Sequence, residues 1–182
     1  MGQYYKPVIF TENTAQAFSA HDYGEGLKLT EHSFDKGGIV FELYSRMYNK
    51  KKRIIWIGDY AQDHPLYRPE YDRFYAKAWG GPYRKPKNKT APDFSIKGKF
   101  LVNHTKHEFV DFDEYVSTNR NNGGWILQPL PLLTAVGNGL GGGDYRGLDE
   151  NVVGYWAGDQ ISVRDVPPKG YTKICPLFKE DW

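Results

Sequence analysis

Apolar residues recur at every second position in some parts of the chain and at every fourth position in others, which indicates strands mixed with helices. Tyr4–Phe10 is aromatic and β-branched around a proline, a pattern typical of an edge strand. Ala17–Tyr23 follows turn residues and is expected to return as a second strand. Leu27–Ser33 alternates apolar and polar positions, as a half-buried strand does. Ile54–Ile57 is a short apolar run that predicts a buried strand.

Two segments show the spacing of helices. Apolar residues four positions apart, from Ile39 to Met47, predict an amphipathic helix over Gly38–Lys50. A second helix is expected between Pro69, because proline is favoured in the first turn of a helix, and Gly80, because glycine suits a helix end.

The second half of the chain is predicted to be mostly strand. Phe100–Asn103 and His107–Phe112 are expected to form a hairpin. Trp125–Leu133 contains two prolines, so a strand there should be an edge strand or a bulged one. Val152–Ala157 and Gln160–Asp165 flank a Gly-Asp pair suited to a tight turn, and we expect them to pair with each other.

These elements predict a single α+β domain over residues 1–182, with an antiparallel or mixed sheet, about two helices and long loops rich in glycine and proline. Strands and helices do not alternate regularly, which disfavours a doubly wound parallel sheet. Residues 80–93 are rich in glycine, proline and lysine, and we expect a mobile loop there.

Composition narrows the class of protein. The chain has 182 residues, the size of one domain, and 24 basic against 22 acidic side chains give a formal charge of +2. That balance disfavours a general nucleic-acid binder. The single cysteine, Cys175, and a first segment unlike a signal peptide favour a cytoplasmic protein. No apolar run approaches the roughly 18 residues of a membrane span.

The segment 137–147 is unusually rich in glycine and is one candidate binding site. Glycine lets backbone N–H groups approach an anion closely, and an arginine can add a bidentate contact to a phosphate or carboxylate. The alternative is a long irregular loop that uses glycine for its backbone conformation. The segment lacks the Gly-Lys-Ser/Thr of a P-loop and the strand-to-helix context of a dinucleotide-binding fingerprint. The candidate contacts are Asn138, Gly141, Gly142, Gly143, Asp144, Tyr145 and Arg146.

A second candidate is Tyr83 with Arg84 and the lysines that follow. Basic residues beside an aromatic ring can hold phosphates and stack a base. The same residues could dock on an acidic protein or form a solvated loop.

Histidine and aspartate residues raise the alternative of a metal site. If strands paired across Gly24–Gly26, His21, Asp22 and His32 would approach one another and could bind a divalent metal ion. Asp59 ends the strand Ile54–Ile57, where metal-dependent phosphoesterases keep ligands. The plain alternatives are a polar strand face and solvated turns. Further candidate ligands are Asp63, His64, Asp144 and Asp159, the last two belonging, like Asp59, to Gly-Asp pairs that could converge.

Several motifs together resemble those of a family of small uncharacterised proteins of bacteria and their phages. They are GQYYKP at 2–7, GLKLTEHS at 26–33, WIGDYA at 56–61 and GNGLGGGDYRG at 137–147. The chain departs from the family at Gln128, where members often have histidine. The resemblance implies a bacterial or phage origin and implies no reaction.

Three hypotheses follow from the sequence. The first is a non-catalytic binding protein of phage or prophage type, without a cofactor, which captures a host protein or a small anionic, nucleotide-like ligand to inhibit bacterial defence. The second is a metal-dependent phosphoester hydrolase that uses the aspartates and histidines. The third is a nucleic-acid-binding module centred on residues 83–89. The sequence leaves the oligomeric state open.

Overall fold

The computed structural model describes residues 2–34, 38–64, 67–120, 125–144 and 152–177. Within these ranges the chain forms one mixed sheet of eight strands with four α-helices, which confirms the predicted α+β class. The sheet is open rather than closed into a barrel. The strands are β1 (Tyr5–Phe10), β2 (Ala15–Ala17), β3 (Lys52–Gly58), β4 (Phe100–Asn103), β5 (Glu108–Asp111), β6 (Ala135–Val136), β7 (Gln160–Arg164) and β8 (Thr172–Lys173). The α-helices are α1 (Gly38–Met47), α2 (Asp72–Trp79), α3 (Phe112–Asn119) and α4 (Pro129–Thr134).

Strand β3 organises the sheet. The strand order is β2-β1-β3-β7-β4-β5-β8, with β6 paired in parallel to β3. Antiparallel pairing of β1 with β3 runs from Tyr5 opposite Gly58 to Phe10 opposite Arg53. The five residues from Ile54 to Gly58 are all buried, because β3 is covered on both faces. This double burial explains why the strand is a continuous apolar run in the sequence.

The sheet separates two apolar layers. Ile54 and Trp56 point into the larger layer, which also contains α1 and α4. Ile55 and Ile57 point into a smaller layer that contains Phe74 of α2. Both predicted helices are confirmed, and the face of α1 that the spacing identified is buried.

Helix α1 receives its N-terminal cap from a distant residue. The Glu25 carboxylate accepts hydrogen bonds from the backbone N–H of Gly38 (2.5 Å) and Ile39 (3.2 Å). A carboxylate at this end also suits the positive end of the helix dipole.

Three early segments differ from the strand predictions. Tyr4–Phe10 forms β1, which is not an edge strand, because it pairs with β2 on one side and with β3 on the other. Leu27–Ser33 is not a strand, because Glu31 reaches back to accept the Lys28 N–H at 2.8 Å and closes a 3-10 turn over Leu29–Glu31. The strand expected at Ala17–Tyr23 ends at its first residue as β2, and a 3-10 helix over Ala20–Tyr23 follows.

Two late predictions also failed. The prolines of Trp125–Leu133 lie at the start of a helix, α4, where a missing N–H costs no hydrogen bond. Val152–Ala157 forms turns, in which Gly154 has a φ of +74°, so β7 pairs with β3 and β4 instead. Within the described residues, no helix has both the length and the apolar composition needed to cross a membrane.

Candidate ligand-binding site

The glycine-rich segment packs against the N-terminal strand as far as it is described, which is up to Asp144. The backbone N–H of Asn138 donates to Gln3 Oε1 at 3.0 Å. The Asp144 carboxylate accepts from the Tyr5 hydroxyl at 2.7 Å and from the Gly141 N–H at 2.8 Å. These backbone groups and this carboxylate therefore hold the segment to the chain itself. Tyr145 and Arg146 lie outside the described residues.

Close packing explains several of the glycines. A Cβ on Gly137 would lie 2.2 Å from the Tyr5 hydroxyl oxygen, and one on Gly141 would lie 2.4 Å from Gln3 Cβ. Gly142 has open space around the corresponding position. Glycine is thus required at particular positions of this segment by the strand beneath it.

A buried carboxylate, Asp22, holds the basic segment that follows α2. Its two oxygens accept hydrogen bonds from the terminal nitrogens of Arg84, at 2.9 and 2.8 Å, in a bidentate pair. The Lys87 N–H donates to the same carboxylate at 3.1 Å, and Lys89 Nζ lies 3.9 Å from it. Hydrogen bonding to Arg84, which outweighs the opposing effect of burial, lowers the pKa of Asp22. Residues 84–89 are therefore fastened to the short helix that carries Asp22, and their mobility stays a prediction.

A cavity of about 400 Å³ lies beside the Asp22–Arg84 pair. It is enclosed by β1, β2, the end of α2 and the segment after α2. We name it the Asp22 pocket. It brings together residues from two separate sequence hypotheses, since Tyr83 and Arg84 line it together with His21 and Asp22. Three further residues complete its chemistry: Lys6, Lys77 and Trp79.

The charge in the Asp22 pocket is mainly positive. Lys6, Lys77 and Arg84 face it, and Asp22 is the one carboxylate among the described lining residues. Lys6 Nζ donates to the Ala78 carbonyl oxygen at 2.9 Å and lies 4.2 Å from the centre of the Trp79 ring. Burial, and then the charge of Arg84, lowers the pKa of Lys6. Three cations around one cavity favour an anion in it.

Two aromatic rings add flat apolar surface to the same cavity. The Trp79 ring is half-buried under Lys6, and its indole N–H donates to the Ile57 carbonyl oxygen at 3.3 Å. Tyr83 is 84% exposed, so its ring is available for stacking. The site therefore offers both charge and ring contacts.

The metal candidates do not converge. Among the described residues, no three histidine, cysteine, aspartate or glutamate side chains are placed to share a metal ion. The hairpin across Gly24–Gly26 that would have joined His21 to His32 is absent, because both flanking segments form 3-10 turns. His21 faces the Asp22 pocket, whereas His32 is fully buried against Trp56 with 5.0 Å between the ring centres.

Each Gly-Asp pair has its own partners. Asp59 accepts the Tyr4 N–H at 3.1 Å, and burial raises its pKa. Asp159 accepts from Asn103 at 2.8 Å and lies 3.0 Å from Lys106 Nζ. Asp144 accepts a hydrogen bond from the backbone of the glycine-rich segment. The three Gly-Asp pairs therefore do not converge on a shared metal site among the described residues. The two other candidate ligands are placed on the turn after β3: Asp63 and His64.

Sequence reasoning missed one polar cluster. His104 Nε2 lies 2.7 Å from Ser162 Oγ, and Arg164 Nε donates to the same hydroxyl at 3.1 Å. His104 is 58 positions from Ser162 in the sequence, and only the antiparallel pairing of β4 with β7 brings the two together. The Ser-x-Arg spacing on one strand is the single local signal, since alternate residues share a face.

Comparison of the chain with protein-family models, with curated proteins and with solved structures found no match.

Proposed function

We propose that this protein binds a small anionic ligand with an aromatic ring, of the nucleotide class, in the Asp22 pocket. The observation that carries the proposal is the lining of that pocket, where three cations, Lys6, Lys77 and Arg84, stand against one carboxylate among the described lining residues and lie beside two aromatic rings. Its volume falls within the range of about 300–1,000 Å³ typical of ligand sites.

The chemistry assigns a role to each part of the pocket. Lys6 and Lys77 would pair with phosphate oxygens as point charges. Tyr83 would stack on the base, because its ring is exposed at the mouth of the cavity. Arg84 is bound to Asp22 in a bidentate pair and would hold the wall in place.

Isothermal titration calorimetry tests the proposal with AMP, with adenosine and with pyrophosphate as probes. We expect AMP to bind more tightly than either fragment, because only AMP uses both the cations and the rings. Lys6→Gln and Tyr83→Ala should each weaken AMP binding about tenfold, the loss expected for one charge-assisted bond or one stacked ring. Matched controls are Lys97→Gln and Tyr60→Ala, which remove an exposed charge and an exposed ring that do not line the pocket.

AMP binding that is absent, or that survives both pocket substitutions, would contradict the proposal. Mass spectrometry of the ligand after incubation separates capture from hydrolysis. We expect unchanged AMP, and released adenosine or phosphate would favour the hydrolase hypothesis.

We propose capture of a bacterial nucleotide signal as the biological role, in the cytoplasm and in competition with a defence effector. The resemblance of the GQYYKP and GNGLGGGDYRG motifs to small bacterial and phage proteins supports this setting. The test adds the protein to a nucleotide-activated effector reaction. We expect the wild-type protein to prevent activation of the effector and the Lys6→Gln variant to leave it active. Full activation in the presence of the wild-type protein would refute the role.

A further inference from the structure

A second polar cluster lies where β4 ends beside β7, on elements that contribute no residue to the Asp22 pocket. We name it the His104 cluster. It contains His104, His107, Ser162, Arg164 and Tyr171, which are joined by hydrogen bonds and ring contacts. Lys51 lies beside them, because the residue after it, Lys52, pairs with Ile161 of β7.

Hydrogen bonds fix the geometry of this cluster. His104 Nε2 contacts Ser162 Oγ at 2.7 Å, and its Nδ1 lies 3.3 Å from the Tyr171 hydroxyl. Arg164 donates from Nε to Ser162 Oγ at 3.1 Å and from Nη1 to Asn49 Oδ1 at 3.4 Å. Both nitrogens of His104 are thus engaged, whereas the guanidinium of Arg164 keeps donors beyond those two bonds.

Tyr171 connects His104 to the exposed part of the cluster. The exposed His107 ring lies 4.9 Å from the Tyr171 ring, centre to centre. Ser162 is completely buried at the inner end, so the accessible groups are the cations and the Tyr171 hydroxyl.

The cations of this cluster have no counter-charge within the described part of the chain. Neither Lys51 nor Arg164 forms an ion pair with a described carboxylate, although seven other cation–carboxylate pairs occur in the described residues. The pKa of His104 is lowered to about 4, first by burial and then by Lys51, Arg164 and His107. The described charges that lower this pKa are all cationic. Like charges held together in this way repel one another, and a bound anion would relieve that repulsion.

We infer that the His104 cluster is a binding site for a phosphate group, held by Lys51 and Arg164. In the tautomer with the proton on Nδ1, His104 donates to the Tyr171 oxygen, and the Tyr171 O–H is then a further donor to the phosphate. Arginine offers parallel N–H donors that match phosphate oxygens, and lysine adds a mobile point charge. His104 would not touch the phosphate, because both of its nitrogens are occupied, but it would sense the added negative charge.

NMR titration of the histidine side chains tests this site in the full chain. The probes are inorganic phosphate and, in a separate arm, a ten-residue oligothymidylate, each compared with sodium chloride at equal ionic strength. We expect at least one probe to raise the His104 pKa by about one unit and to shift the Tyr171 ring signals. Arg164→Gln and Lys51→Gln should each weaken that binding about tenfold.

Two controls isolate the cluster. Lys97→Gln makes the same charge change elsewhere and should leave the affinity unchanged. Arg84→Gln disturbs the Asp22 pocket and should also leave the His104 response intact, so failure of one site is distinguishable from failure of the other.

The two arms identify the source of the phosphate. A response to inorganic phosphate alone supports a small phosphorylated ligand. A response to the oligonucleotide alone, falling steeply with salt, supports a nucleic-acid backbone. If neither probe moves His104 beyond the chloride control, or if Arg164→Gln and Lys51→Gln bind as the wild type does, the inference is overturned.

Discussion

His32 makes the stability of the fold sensitive to acid. Neither ring nitrogen has a hydrogen-bond partner among the described residues, and burial lowers its pKa from 6.5 to about 3. Between pH 6.5 and 3, His32 is therefore protonated in the unfolded chain but neutral in the folded chain. The free energy of unfolding falls as the pH falls through that window. The expected slope from this residue is about 1.4 kcal/mol per pH unit.

Urea unfolding at pH 7, 6, 5 and 4 measures this slope. His32→Phe should flatten the pH dependence, leaving the similar contribution of His104, whose pKa is also lowered. His21→Gln, which removes an exposed imidazole, is the matched variant for comparison. Identical slopes for His32→Phe and the wild type would contradict the assignment.

Two adjacent glycines should differ sharply in their tolerance of a methyl group. Gly141→Ala places Cβ against Gln3, at 2.4 Å from its Cβ and 2.5 Å from its backbone nitrogen, and should lower the free energy of unfolding by about 1–3 kcal/mol. Gly142→Ala is the matched control, since no atom lies within 4 Å of the new methyl. Thermal unfolding of the two variants measures the difference, and equal losses would refute the packing argument.

At the scale of elements, Asp22 should determine whether the segment after α2 stays fastened. Asp22→Asn removes the charge that Arg84 and Lys89 contact and weakens the bonds to Arg84 and Lys87. We expect trypsin to cleave after Arg84, Lys87 and Lys89 about tenfold faster in this variant, because the segment opens more often.

The matched control for Asp22→Asn is Glu70→Gln, which breaks an exposed pair with Arg68. Such surface pairs contribute little, so cleavage after residues 84–89 should not change. Unchanged cleavage in Asp22→Asn would show that other contacts fasten the segment.

At the scale of the whole molecule, the two proposed binding sites lie on different elements of the fold. The Asp22 pocket lies beside β1, β2 and α2, and the His104 cluster lies on β7, on the turn between β4 and β5, and on the residues just before β3 and β8. The two can therefore be tested independently, and a ligand at one need not compete with a ligand at the other.

The sequence by itself determined the α+β class, the helices α1 and α2, the buried strand β3 and the hairpin of β4 and β5, whereas α3 and α4 were not predicted. Each of these is encoded by local periodicity, such as the spacing from Ile39 to Met47, which needs no knowledge of distant residues. Local reasoning failed at Leu27–Ser33 and Trp125–Leu133, where a returning Glu31 side chain and the N-terminal position of the prolines outweighed the pattern.

Only the tertiary structure decided which polar side chains meet. Arg84 meets Asp22 across 62 positions and His104 meets Ser162 across 58, so no local pattern can encode either contact. The sequence identified Tyr83, Arg84, His21 and Asp22 as candidates but assigned them to different sites. Folding placed all four around one cavity and separated His32 from them, because residue identity sets the chemistry and chain topology sets the neighbours.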